Sequence, residues 1–320
     1  MAQDPIALFS LTGTIDLARR VAARLETPLS PVEERAFEDG EHKIRPLVSV
    51  EGQDAFVLHA LHGDAGQSVN DKLCRLLFFL ATLRDHGATR VTAVLPYLCY
   101  ARKDRRTQPH DPVTARYVAA LFEAVGTDRV LAVEVHNEAA FENGFRCPTV
   151  HLTTADLFAA HFARIARNDP LVVVSPDAGG VKRAERFRRA LEHRTSAAID
   201  SGFVEKYRSG GIVSGGSLVG AVAGKTVILL DDLISTGTTL LRAAGACRKA
   251  GAAHVYGAAA HAVFPSGGTD FFTHGEFDGL VVTDTVPLPA SMAAEPAQGI
   301  TVLDTSVLLA EAIAQAHRGR

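Results

Sequence analysis

Val227-Ile228-Leu229-Leu230-Asp231-Asp232-Leu233-Ile234-Ser235-Thr236-Gly237-Thr238-Thr239-Leu240 is the stretch on which the fold turns. Its opening aliphatic run is too apolar for a strand with one wet face and reads as a strand covered on both sides, as in parallel sheets. Two carboxylates follow, then a turn of hydroxylated residues in which Gly237 permits tight backbone geometry, then a helix. The first N–H groups of such a helix point outward and its dipole favours an anion. Arg248 and Lys249 suit the helix C-terminus and Gly251 its stop. The carboxylates repel phosphate but suit sugar hydroxyls, and open α/β sheets bind ligands beyond the C-terminal ends of their strands.

Outward from this segment the same rhythm recurs. Short β-rich runs at 6–9, 55–61, 91–98, 130–135, 171–175, 226–230, 254–260 and 280–285 alternate with amphipathic stretches at 69–86, 113–125, 181–191 and 238–250. The pattern predicts an α/β chain of mainly parallel sheets flanked by helices. It restarts near Leu152, which predicts a domain boundary there, and the similar halves suggest a duplicated fold. Residues 306–317 predict a final amphipathic helix capped by Asp304 or Thr305.

The 320 residues are enough for two domains with their own cores. A hydrophobic content of 47% and a charged content of 22% argue against disorder and fibres. The net charge of −3 argues against a general nucleic-acid binder but leaves room for a local anion site. Cys74, Cys99, Cys147 and Cys247 lie far apart and form no CxxC pair, so they read as buried thiols in a reducing compartment rather than as zinc ligands. The opening MAQDPIALFS lacks a basic flank and reads as a strand, not a signal peptide. No run approaches the roughly 20 apolar residues a bilayer requires. A cytoplasmic location is the expectation.

Further segments carry chemistry. Phe37-Glu38-Asp39-Gly40-Glu41 by itself is an acidic turn. In Tyr100-Ala101-Arg102-Lys103-Asp104-Arg105-Arg106 the cations crowd around one carboxylate and call for an anionic partner such as a triphosphate, which arginine can grip through two bonds. Val133-Glu134-Val135-His136 ends a strand with an imidazole. Val174-Ser175-Pro176-Asp177-Ala178-Gly179-Gly180 is a buried strand, an acid and two glycines; its amides can approach a diphosphate, and Asp177 can serve magnesium.

Together these segments resemble the ribose-phosphate diphosphokinases, which transfer diphosphate from Mg-ATP to ribose 5-phosphate and give phosphoribosyl diphosphate and AMP. The 231–239 loop resembles one those enzymes share with phosphoribosyltransferases. The resemblance covers nearly the whole chain. It implies two phosphoribosyltransferase-like (Rossmann-like) domains: residues 1–152 with the ATP-binding loops and 153–304 with the ribose-5-phosphate loop, with the helix of 305–320 packing back on the first. It implies ATP contacts from Phe37, Asp39, Gly40, Glu41, Arg102, Lys103, Asp104 and Arg105. Ribose 5-phosphate would be held by Asp231, Asp232, Ser235, Thr236, Gly237, Thr238 and Thr239, and Mg2+ by His136 and Asp177. Lys206 and Arg208 match the spacing of a catalytic arm. A homo-oligomer built from dimers, up to a hexamer, is also implied, with no nucleic-acid or membrane partner. The chain departs from the family pattern at Ser235 (usually Asp), Lys103 (usually Gln) and Glu134 (usually Asp), and its arm lacks the commoner D-K-R-R-P. A phosphoribosyltransferase, a non-catalytic regulatory paralogue and an enzyme for another sugar phosphate are the alternatives.

Overall fold

The computed structural model describes residues 5–165, 170–209, 212–264, 275–289, 292 and 299–319; the side chains of 206–209 and 212–216 fall outside the description. The chain divides into two compact units, Met1–Leu152 with Thr305–Arg320, and Thr153–Asp304.

The first unit runs β1 (Ile6–Ser10), α1 (Ile15–Arg24), β2 (Val32–Ala36), β3 (His42–Pro46), β4 (Asp54–Leu58), α2 (Val69–Asp85), β5 (Arg90–Leu95), α3 (Thr114–Ala124), β6 (Arg129–Val133), α4 (Glu138–Gly144) and β7 (Thr149–Leu152). Its sheet has the order β1-β4-β5-β6-β7 with every pair parallel, and β2-β3 forms a separate two-stranded ribbon. Side chains alternate across each strand: Ala7 and Phe9 enter the core under α2 and α3, whereas Leu8 enters the core on the opposite face. That opposite face is covered by α1 and the C-terminal helix, Ser306–His317, through Leu17, Val21, Leu309 and Ile313. Arg24 Nε donates to Ser306 Oγ at 2.7 Å, and His317 Nδ1 lies 2.8 Å from the buried Asp54 Oδ2. Thr305 occupies the N-cap position of this helix, one of the two residues the sequence offered for it, but makes no side-chain capping bond.

The second unit runs α5 (Ala155–Ile165), β8 (Leu171–Ser175), α6 (Val181–Thr195), β9 (Asp200–Ser209), β10 (Ile212–Val219), β11 (Thr226–Ile234), α7 (Thr238–Lys249), β12 (His254–Ala262), β13 (Gly279–Thr283) and β14 (Ile300–Leu303). The sheet order is β10-β9-β8-β11-β12-β13-β14, parallel except for β10. Along β11, Val227 and Leu229 face the core beneath α7, while Ile228 and Leu230 face the core beneath α5 and α6. Helix α7 closes as its sequence suggested: Gly251 takes φ 87°, and Ala252 N donates to Cys247 O at 3.1 Å.

Several strand ends differ from the sequence expectation. The runs 55–61, 91–98 and 130–135 stop as strands at Leu58, Leu95 and Val133. Pro96 has no N–H to continue the ladder, and Glu134 turns into the left-handed region at φ 39°. β11 instead runs on to Ile234, so Asp231 and Asp232 lie within the strand rather than after it. The thiols are all free, but Cys74 is exposed and Cys147 half-buried, so only Cys99 and Cys247 are buried as expected.

Candidate functional site

In the second unit the chain leaves β8 through α6 to β9 on one side and returns to β11 on the other. The reversal opens a crevice beyond the C-terminal ends of β8 and β11. The ladder between these strands stops at Leu229–Val174, while the ladder from β11 to β12 continues to Ile234–Ala262. Asp231 and Asp232 therefore sit on a strand with one edge open. Burial, and then the neighbouring charge of Asp232, push the Asp231 carboxyl well above the usual range, while Arg183 counters in part. Asp232 is 3% exposed, and its Oδ1 lies 3.5 Å from Arg183 Nη1.

The turn after β8 forms the facing wall. Asp177 Oδ1 accepts from Gly179 N at 3.0 Å and Gly180 N at 3.2 Å, and the fully buried Ser175 Oγ donates to Asp177 O at 2.6 Å. After β11, Gly237 adopts φ 77° at the N-cap of α7, with no side-chain cap and no acid in the first turn. The helix N–H groups thus have no competing carboxylate, and the hydroxyls of Thr236 and Thr238 lie 3.1 Å apart beside them. The predicted residues from Asp231 to Thr239 and Asp177 share this edge. β9 carries the backbones of Lys206 and Arg208, and their side chains lie outside the described residues.

The corresponding edge of the first unit, past β1 and β4, is occupied by protein side chains. Lys72 is fully buried; its Nζ lies 2.6 Å from Asp64 Oδ2 and 3.5 Å from His62 Nε2. Thr14 Oγ1 lies 3.3 Å from Nδ1 of the fully buried His59. Burial, with the Lys72 charge next, pushes His59 down to about 3 and His62 to about 4.

The other predicted residues of this unit fall on two loops and the β2-β3 ribbon. Phe37, Asp39, Gly40 and Glu41 form the exposed tip of the ribbon, where Phe37 N donates to Glu41 O at 2.8 Å and Glu41 N to Asp39 Oδ1 at 3.0 Å. The Arg35 guanidinium covers the Phe37 ring at 5.1 Å. After β5, Tyr100 turns the chain at φ 59° and the basic loop begins. Arg102, Arg105 and Arg106 are exposed. Lys103 Nζ donates to Asp111 Oδ2 at 2.5 Å, and Asp104 Oδ2 accepts from Asn137 Nδ2 at 2.6 Å. Asn137 also caps α4 through Ala140 N at 3.2 Å, so the basic loop is joined to the turn bearing the exposed His136.

Sequence reading missed Asp111, Asn137, Ser175 and Arg183. Arg183 had a signal, a cation in the first turn of a helix that follows an acidic turn; the others become visible only when the loops close. Among the described residues no group of three or more His, Cys, Asp or Glu side chains is arranged to hold a metal ion. The carboxylates at the β8–β11 edge are nonetheless hard oxygen donors. They fit a cation of the magnesium type, which takes one or two carboxylates and completes its shell with water and substrate phosphate.

Residues 149–266 match the phosphoribosyl transferase domain, which sets the class of protein to which this crevice belongs. Residues 6–126 match the N-terminal domain of ribose phosphate pyrophosphokinase, and 215–320 the phosphoribosyl synthetase-associated domain. Ribose-phosphate pyrophosphokinase 1 of Streptococcus pyogenes is 33% identical over 321 residues, covering 100% of this chain and 97% of that one. The Streptococcus pneumoniae protein of the same name is also 33% identical, over 100% of this chain and 96% of its own. The crystal structure of phosphoribosylpyrophosphate synthetase from Mycobacterium smegmatis matches with a TM-score of 0.89 at 31% identity, over 99% of this chain and 100% of that one. The chain belongs to the ribose-phosphate pyrophosphokinase family. Among the described residues, no helix is long and apolar enough to cross a membrane.

Proposed function

We propose that this protein transfers the terminal diphosphate of Mg-ATP to the anomeric hydroxyl of ribose 5-phosphate, releasing AMP and phosphoribosyl diphosphate. The observation that carries this reading is the acid pair Asp231–Asp232 on the open edge of β11, running directly into the uncapped start of α7. The second unit supplies the sugar-phosphate loop and the first the nucleotide loops. Amides and hydroxyls of Ser235, Thr236, Gly237, Thr238 and Thr239 hold the 5-phosphate. Two adjacent carboxylates, Asp231 half-buried and Asp232 buried, disfavour each other's charge, and a sugar diol donating to both relieves that conflict. This is the physical reason for Asp231 and Asp232 to meet ribose rather than phosphate.

The anomeric oxygen attacks the β-phosphorus and gives up its proton to water; the bond from that phosphorus to the α-phosphate oxygen breaks, and AMP leaves. Two unit charges 4 Å apart repel by roughly 4 kcal/mol at an effective dielectric of 20, so the substrates approach only with cations present. Arg102 and Arg105 supply them along the triphosphate, and Phe37, Asp39, Gly40 and Glu41 complete the nucleotide contacts. Lys206 and Arg208 stabilise charge on the β-phosphoryl oxygens and on departing AMP. Asp177 in the second unit and His136 in the first are each a candidate ligand for Mg2+, which when bound would neutralise phosphate oxygens. A homo-oligomer built from dimers and a cytoplasmic location belong to the same reading.

The test is AMP release from ATP, magnesium and ribose 5-phosphate, followed by chromatography, with phosphoribosyl diphosphate formed mole for mole. Consumption of phosphoribosyl diphosphate with a nucleobase, and no AMP from ATP, would make the protein a phosphoribosyltransferase instead.

A further inference from the structure

Four cations crowd the loop after β5, yet they are not equivalent. Lys103 Nζ donates to Asp111 Oδ2 at 2.5 Å and to Thr107 Oγ1 at 3.2 Å. An ammonium has three donors, and two of these are turned inward. The same Asp111 oxygen accepts from Thr107 Oγ1 at 2.7 Å and from the backbone N–H groups of Thr107 and Gln108, each at 3.0 Å. The Lys103 hydrogen bond, then those of Thr107 and Gln108, hold the Asp111 carboxyl well below the usual range, so it is a carboxylate at neutral pH. The loop is also tied at its base, where Ala115 N donates to Lys103 O at 3.2 Å at the start of α3. Arg102, Arg105 and Arg106 stay exposed on the outside of this clasp.

We propose that Asp111 is a positioning residue for nucleotide binding: it draws Lys103 back onto the loop as a structural cation, leaving Arg102 and Arg105 to meet the triphosphate. The inference deepens the functional reading above and rests on the 100–106 loop being a nucleotide loop. It sets this chain's Lys103 apart from the nucleotide contact that the family resemblance implied. An incoming phosphate meets Lys103 already neutralised by Asp111, whereas the exposed Arg102 and Arg105 are carried on the loop backbone that the clasp ties down.

The experiment measures the dissociation constant for Mg-ATP by calorimetry, and kcat and KM by AMP release, for wild type, Asp111→Asn, Lys103→Ala and the double variant. The clasp predicts that each single variant weakens Mg-ATP binding about 10-fold, with KM for ATP rising more than kcat falls. The double variant should be no worse than either single one, because both act through one contact. Asp111→Glu should recover part of the loss. Trypsin cleavage after Arg105 and Arg106 should speed up in both single variants while far-UV circular dichroism stays unchanged, which tests the clasp without substrate. Tighter or unchanged Mg-ATP binding by Asp111→Asn overturns the proposal, as does an additive double variant, because Lys103 would then be a phosphate ligand restrained by Asp111. A wild-type protein that binds no Mg-ATP removes the nucleotide-loop reading itself, a different outcome from a wild type that binds and variants that match it.

Discussion

Gly180→Ala is the sharpest probe of the crevice, because the geometry gives its size. A Cβ built on Gly180 lies 2.7 Å from Ser175 Oγ, where ordinary contact begins at 3.4 Å, so something must retreat by about 0.7 Å. Ser175 has nowhere to go: it is fully buried, and its Oγ donates to Asp177 O at 2.6 Å. The strain therefore falls on the turn that carries Asp177. Overpacking of this kind costs about 1–3 kcal/mol of stability. Misplacing a site by about 1 Å can cost on the order of 100-fold in rate, so the variant should lose roughly 10- to 100-fold in kcat/KM for AMP release. Ser175→Ala removes the colliding oxygen. In the double variant the nearest remaining atoms are Arg183 Nη1 at 3.8 Å and the residue-175 Cβ at 3.9 Å, both ordinary contacts. Ser175→Ala alone loses one hydrogen bond, about 1 kcal/mol. The double variant should thus recover most of the activity and thermal midpoint lost by Gly180→Ala. A Gly180→Ala protein as active as wild type, or a double variant no better than it, would refute the steric argument.

Two further expectations follow from the titrating groups. His59 and His62 are held neutral by burial, at about 3 and about 4, so below pH 6.5 the unfolded chain takes up protons that the folded chain does not. Stability should fall as the pH drops from about 7 to 4, by up to about 1.4 kcal/mol per pH unit for each imidazole; His59→Gln should flatten the profile in denaturant titrations. Burial pushes Cys99 and Cys247 up to about 12 and Cys147 up to about 11, while Cys74 is exposed. Titration of the native protein with a thiol reagent at pH 8 should therefore find Cys74 reacting first, the half-buried Cys147 slowly, and Cys99 and Cys247 only on unfolding.

What the sequence settled by itself was local. The apolar runs of β8 and β11 are buried on both faces, so their residues had to be apolar throughout, and this was legible without coordinates. The acids at 231–232 and the glycines at 179–180 and 237 were legible as well, because turns and phosphate cradles need those residue types. β2, β3, β7, β9, β10 and β14 were missed: β2 and β3 form a charged ribbon with little buried surface, β7 and β14 are four-residue edge strands with too few alternating positions to show a period, and β9 and β10 lie in the glycine-rich stretch read as a catalytic arm. Helices α1 and α5 carried a helical stripe that the reading passed over. Tertiary structure alone decided that β11 extends past β8 and opens an edge at the acid pair. It alone set Arg183 beside Asp232 and turned Lys103 inward onto Asp111. These are contacts between segments whose side chains meet only after the chain has closed its loops, and no residue pattern along one strand or helix encodes them.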